Sequence, residues 1–275
     1  MILTNLAKAV REQNWFAVAL EFVIVIAGVV IGFQITQWND ARTDRARADE
    51  YLSRIEEETY RNFDRAIDRV IAWRWQAEAG ERALEYIRTG SVPQDDAWRL
   101  VVDFNYVGDV NQFRSELSTF EELRSSGRLN LIRNSSIRSF LMQYAGAANS
   151  NVFRLGTSRR DDYRESVRQR TPPRIYMHIK RACTFLAPDS DATAIRDCAP
   201  PDGVSDEAIV TLLETYRADT QLVDELRAAT NALGEAAYGY TQLVRYFEPV
   251  INQMREELGM ELVDEVSVRL GATAE

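Results

Sequence analysis

Hydrophobic positions follow two regimes along this chain, one continuous and one periodic. From Trp15 to Trp38, WFAVALEFVIVIAGVVIGFQITQW, the run is nearly all apolar, with Glu21 its one acid and no base before Arg42. About 20 such residues at a 1.5 Å helical rise match the ~30 Å hydrocarbon layer of a bilayer. Trp15 and Trp38 stand at its ends, where amphipathic rings suit the headgroup levels. A signal peptide would be shorter and end in small residues. This run ends in Gln34-Ile35-Thr36-Gln37-Trp38-Asn39. The pattern predicts a retained membrane span over 15–38 behind a short leader at 1–14. A buried core helix of a soluble protein is the competing reading.

Beyond Trp38 the apolar residues become periodic. Asn39-Asp40 can end or re-cap the helix. After it Leu52, Ile55, Thr59, Phe63, Ala66, Val70, Trp73, Ala77, Leu84 and Ile87 recur at helical steps. Opposite charges such as Glu50/Arg54 and Glu57/Arg61 lie between them at i, i+4. These features predict a long helix over 42–89, the rod of a helical bundle rather than a coiled-coil seam, because partner segments follow. Thr89-Gly90-Ser91-Val92-Pro93 breaks it. A short helix is expected over 94–107, and another over 110–126 or from Ser118, where two S/T-x-x-E patterns overlap. Gly127 suits its C-terminal cap. Asn134-Ser135-Ser136 opens a helix expected to reach Arg170, where Thr171-Pro172-Pro173 stops it.

Residues 171–204 carry five of the seven prolines and both cysteines, and read as irregular. Ser205-Asp206-Glu207 starts the last block, through Ile209, Leu212, Tyr216, Thr220, Val223 and Leu226. Gly234, Gly239 and Pro249 are expected to kink, bend or split it. An amphipathic piece over 250–270 and a tail at 271–275 complete the chain. No strand is predicted. The expected fold class is all-α: a transmembrane helix continuing into a long helix, with an antiparallel helical bundle as the extramembrane domain over 39–270.

Composition removes some function classes. A net charge of −9 argues against nucleic acid as a partner. Orientation rests on two signals. Lys8 and Arg11 before the span against Arg42, Arg45 and Arg47 after it leave the positive-inside count undecided. The only cysteines, Cys183 and Cys198, bracket CTFLAPDSDATAIRDC and read as a disulfide formed in an oxidising compartment, with two free thiols as the alternative. The expected placement is the bacterial inner membrane, N-terminus cytoplasmic and the bulk of the chain periplasmic.

Within the span, Glu21, Val25, Gly28, Gly32 and Ile35 share a stripe only ~80° wide. Gly28 and Gly32 form a small-xxx-small pair that lets two helix backbones approach closely. Glu21 either hydrogen-bonds a neighbouring copy and fixes oligomer geometry, or lines an ion path. Gln34 is grouped with these residues as a candidate association or ion site. The lipid bilayer and further copies of the chain are the expected partners, with an unknown protein partner also open.

Candidate chemistry elsewhere is thin. Arg159, Arg160, Arg164, Arg168, Arg170, Arg174, Lys180 and Arg181 form a basic run, and Arg160, Arg164 and Arg168 share one helical face. They read as an anion or lipid-headgroup patch, or as a surface paired with Asp161, Asp162 and Glu165. His178 is the only histidine and reads as solvated or packed; no metal and no cofactor is expected. Glu56/Glu57, Asp161/Asp162 and Glu256/Glu257 read as solvated surface. Tyr238, Tyr240, Tyr246 and Phe247 read as core. No nucleotide-binding, zinc-protease or hydrolase motif occurs.

Two patches carry a resemblance. LEFVIVIAGVVIGFQITQWNDAR is similar to the signature of a large family of uncharacterised bacterial single-span membrane proteins. In that family a glutamate precedes an Ile/Leu/Gly-rich segment with a Gln-x-x-x-Trp-Asn exit. The run from Phe120 to Ile132, FEELRSSGRLNLI, resembles the family's Leu-x-x-Ser-Gly-x-Leu-x-Leu-Ile patch. The resemblance implies one span and a helical extramembrane domain, and carries no activity. The functional expectation is a membrane-anchored scaffold or interaction protein without catalysis, self-associating through its span. A periplasmic sensor and an ion-coupled assembly using Glu21 are the alternatives.

Overall fold

In a computed structural model the chain is described over residues 15–92, 96–109, 115–148, 157–186 and 193–270. The leader at 1–14 and the tail at 271–275 lie outside the described residues. The described chain is mostly helical: α1 (Trp15–Thr89), α2 (Ala97–Val107), α3 (Ser118–Ser125), α4 (Ser135–Ala148), α5 (Thr157–Arg170), α6 (Pro173–His178), α7 (Asp206–Ala218), α8 (Thr220–Leu258) and α9 (Glu265–Leu270). Contacts divide it into two units, Met1–Tyr51 and Leu52–Glu275.

The described part of the first unit is a stretch of α1. Its large apolar side chains from Leu20 to Trp38 are exposed, from Ile26 at 45% to Val29 at 68%, while Ala48 near its end is buried. Asn39-Asp40 does not interrupt the helix. Thr36 and Thr43 donate their hydroxyls to Gly32 O and Asn39 O, each at 3.0 Å, so these polar side chains fold back on the helix backbone.

The second unit is organised around α2. Every residue from Leu100 to Val107 is buried, and aromatic neighbours close over it, with Phe104 4.8 Å from Tyr216. Asp96 starts this helix by accepting Arg99 N at 2.9 Å. A helix buried on all sides must satisfy its polar atoms internally. Tyr163 Oη donates to Phe104 O at 2.7 Å, and Gln76 Nε2 to Tyr106 O at 2.8 Å. Asp103, wholly buried, takes two bonds from Arg82 at 2.8 Å and one from Arg99 at 3.3 Å. The α1 residues Phe63, Ile67 and Val70 share the same core with Leu226, Leu233 and Phe247 of α8.

Several boundaries differ from the sequence expectation. The expected 134–170 helix is two described helices, ending at Ala148 and starting at Thr157, with 149–156 outside the described residues. The last block breaks at Asp219, whose extended backbone (φ −88°, ψ 100°) separates α7 from α8. Its carboxylate accepts Leu222 N at 2.9 Å and Arg170 Nε at 2.5 Å. The break resets the buried face, so Leu222 rather than Val223 enters the core. Pro249 sits inside continuous helix, held by the buried Phe247, Ile251 and Met254 on either side. Gly259, in the left-handed region at φ +68°, then ends α8, a conformation that costs glycine little.

The proline-rich region also holds two short strands that were not predicted. β1 (Thr184–Leu186) pairs antiparallel with β2 (Thr193–Ile195), Phe185 opposite Ala194. Three residues are too few for a period-two pattern to declare itself. The Cys183–Cys198 disulfide closes the base of this pair, and Arg196 N donates to Cys183 O at 2.9 Å.

Candidate functional site

Two regions hold the residues singled out from sequence. On α1, Glu21 and Gln34 are exposed, and Trp38 is 67% exposed. A Cβ added at Gly28 or Gly32 would meet nothing within 4 Å. The helix from Ala19 onward is apolar enough to cross a membrane, with a window of mean hydropathy 2.2 and none of it buried. The Trp15 side chain lies outside the described residues.

The second region is a groove of about 1040 Å³ beside the disulfide. One wall is α6 and the π-helical turn Ile179–Cys183 that follows it, presenting Arg174, Met177, His178 and Arg181. The other is the segment from Arg196 through Cys198 to Pro201 and Asp202. Sequence dictates this layout: Pro172 is extended at ψ 135°, Pro173 pre-sets the first turn of α6, and Pro200-Pro201 stiffens the opposite strand of chain. The disulfide ties the two walls, and Trp98 Nε1 lies 3.4 Å from Cys198 Sγ beneath them. His178 Nε2 is 2.8 Å from Ala199 O, and its ring sits 6.0 Å from that of Trp98. His178 is therefore a packed bridge across the groove.

The basic run divides between these surroundings. Arg164 pairs with Asp161 at 2.9 Å, and Arg168 pairs with Glu165 at 3.7 Å while lying over the Tyr176 ring. Both are neutralised by acids on their own helix. The Arg160 side chain lies outside the described residues. Arg174 and Arg181 instead face the groove, where Arg196 joins them. Arg196 was legible only as one residue of the cysteine-bracketed loop, since nothing in the linear spacing brings it beside Arg181. Lys180 turns the other way, contacting Asp109, and burial pushes its ammonium down to about 8.

The carboxylates of the second unit are largely structural. Glu56, expected at the surface, is buried and accepts Arg255 Nε at 2.6 Å, while Glu57 remains exposed beside Arg61. Glu58 caps α3 from outside. Its carboxylate accepts Thr119 N at 2.9 Å, Ser118 Oγ at 2.5 Å and Thr119 Oγ1 at 2.7 Å, displacing the capping box expected within 118–122. Asn62 exchanges two bonds with the Glu116 backbone, at 2.6 and 2.8 Å. These bonds hold the start of α3 just before the patch Phe120–Ile132, which continues through the end of α3 and a 3-10 turn at Leu129–Leu131, with Glu122 bound by Arg54 of α1 at 3.0 Å. Of the aromatic set, Tyr240 and Phe247 are core, but Tyr238 and Tyr246 are 71% exposed. No group of three His, Cys, Asp or Glu among the described residues could hold a metal ion.

Compared with protein-family models, curated proteins and solved structures, the chain matches none of them.

Proposed function

We propose that this chain is a membrane-anchored helical interaction protein, its span associating with copies of itself and its helical domain, an antiparallel bundle, held in the periplasm. One observation carries the reading: an apolar helical segment of mean hydropathy 2.2 with no part buried by the rest of the chain. Bare apolar surface of that extent needs a cover, and a bilayer supplies it. Open space at Gly28 and Gly32 supports close approach of a second helix there. The Cys183–Cys198 bond supports an oxidising compartment for the second unit.

The test is membrane extraction followed by mass measurement in detergent. The full chain is expected to resist alkaline carbonate and to run as a multiple of 31.4 kDa. Gly28→Ile with Gly32→Ile is expected to reduce it to one copy. Release by carbonate would sink the anchor. A single-copy wild type would sink the self-association alone.

A second reading, a sensor, draws on the continuity of α1 from Trp15 to Thr89. One helix then serves both span and core, so a ligand on the domain can bias the span.

A further inference from the structure

We propose that the groove beside the Cys183–Cys198 disulfide binds a ligand carrying two or more phosphate or carboxylate groups. The observation behind it is a contrast in how arginines are partnered. Across the second unit, Arg61, Arg82, Arg170, Arg255 and Arg269 are each bound to carboxylates, in keeping with a chain whose net charge is −9. Among the described residues, Arg174, Arg181 and Arg196 have no carboxylate salt bridge. Arg74 and Arg138 also bond backbone carbonyls and make no carboxylate salt bridge, but the groove brings three arginines without one to a single cavity.

Two of these guanidiniums are held by neutral acceptors. Arg174 Nη2 donates to Asp202 O at 2.6 Å, and Arg196 Nε donates to Ala182 O at 2.8 Å. A carbonyl orients the fork and leaves its charge in place, with N–H groups still to be satisfied. An arginine fixed in this way loses little rotamer entropy when an oxyanion arrives, and it recognises phosphate or carboxylate through paired N–H donors. Arg181 is exposed on the facing turn and supplies a third charge.

The walls suit the same task. Three prolines, the disulfide and the His178–Ala199 bridge make the groove a preformed one, which lowers the ordering cost of binding. Its volume of about 1040 Å³ exceeds what a single inorganic anion needs. Two acids also line it. Asp197 is engaged by Arg99 at 3.2 Å, and Asp202 stays exposed at the rim. They offset part of the positive field, and what suits a ligand with more than one anionic group is the placing of guanidiniums on both walls, Arg174 and Arg181 on one and Arg196 on the other. A phospholipid headgroup and a soluble polyanion share this chemistry.

The test uses the full chain in nanodiscs of phosphatidylcholine, titrated calorimetrically with tripolyphosphate, and does not depend on whether the span self-associates. The wild type is expected to bind, with affinity falling as salt rises. Arg181→Glu with Arg196→Glu is expected to weaken binding by about tenfold or more, and Arg181→Gln by roughly threefold. Arg181 is exposed, so its single variant decides the matter if the double variant loses its far-UV spectrum. Repeating the titration in discs containing cardiolipin, whose headgroup carries two phosphates, separates the sources: suppression of tripolyphosphate binding points to the headgroup, and unchanged binding to a soluble anion. Absence of wild-type binding at millimolar tripolyphosphate, or equal binding by wild type and both variants, would overturn the site.

Discussion

Residues 20–38 of α1 and the whole of α2 are both apolar helices, yet they end in opposite environments. Phe33 on the first is 63% exposed and Phe104 on the second is 0% exposed. Length separates them physically. Eleven residues reach only about 16 Å, too short for a bilayer, so α2 must be covered by protein. Cover also changes what polar residues can do. Asp103 and Asn105 are tolerated inside α2 because Arg82, Arg99, Thr171 and Val101 O meet them. Glu21 and Gln34 sit exposed on α1, where the same tolerance would need lipid headgroups, water or a second chain. An apolar run therefore tells that a cover is required, and a run as short as α2 rules the bilayer out as that cover.

The sharpest way to break this comparison is to make one truncation in both places. Phe104→Ala is expected to lower the unfolding free energy of the second unit by about 3–5 kcal/mol, as buried phenylalanine deletions do. Phe33→Ala, pointing away from the glycine stripe, is expected to change it by less than about 0.5 kcal/mol. Urea unfolding of the full chain in neutral detergent, followed by circular dichroism, reads both. Equal effects would mean that residue 33 has a protein neighbour and that the contrast is false.

The next effect in size is alkaline. Burial raises the Tyr216 phenol from 10.0 to about 12, and burial with a bond to Glu214 does the same for Tyr86. Burial raises Tyr106, Tyr144 and Tyr163 further. A phenol raised on folding binds its proton more tightly when native. Its contribution is therefore whole below pH 10 and is lost as pH climbs towards 12. The expected loss is on the order of 2–3 kcal/mol for Tyr216 over that window. Chemical denaturation at stepped pH checks it, and Tyr216→Phe should flatten the slope. A stability curve level from pH 10 to 12 would show that these tyrosines are not buried as described.

What could be read from sequence follows from whether the signal is local. The long apolar N-terminal helix, the α1 periodicity, the Asn134 cap of α4 and the Ser205 cap of α7 depend on neighbouring residues, and all were legible. The break at Asp219 joins a local cap on Leu222 N to a pairing with Arg170, and the second partner is far away in sequence. Glu56 looked like surface because its partner, Arg255, lies on another helix. The groove was half legible. Arg174 and Arg181 stood out by density, whereas Arg196 joins them only because the disulfide and the strand pair fold the chain back.

Glycine gives the finest form of the comparison. Gly28 faces open space, but a Cβ at Gly80 would lie 2.2 Å from Thr230 Oγ1 and 2.8 Å from Cγ2, so α1 and α8 approach closely there. Thr230 cannot swing aside, being buried, β-branched and bonded to Leu226 O at 2.8 Å. Gly80→Ala is therefore expected to cost about 1–3 kcal/mol from overpacking, offset by roughly 1 kcal/mol of helix propensity. Adding Thr230→Ala removes the two nearest atoms and leaves only Cβ at 3.0 Å, so the double variant should recover most of the loss. A double-mutant cycle by urea denaturation measures this coupling. Gly28→Ala, run alongside, should leave the unfolding curve where it was and register only in oligomer mass. Purely additive single effects at 80 and 230 would mean the two helices do not touch there, and that both glycines are uncovered alike.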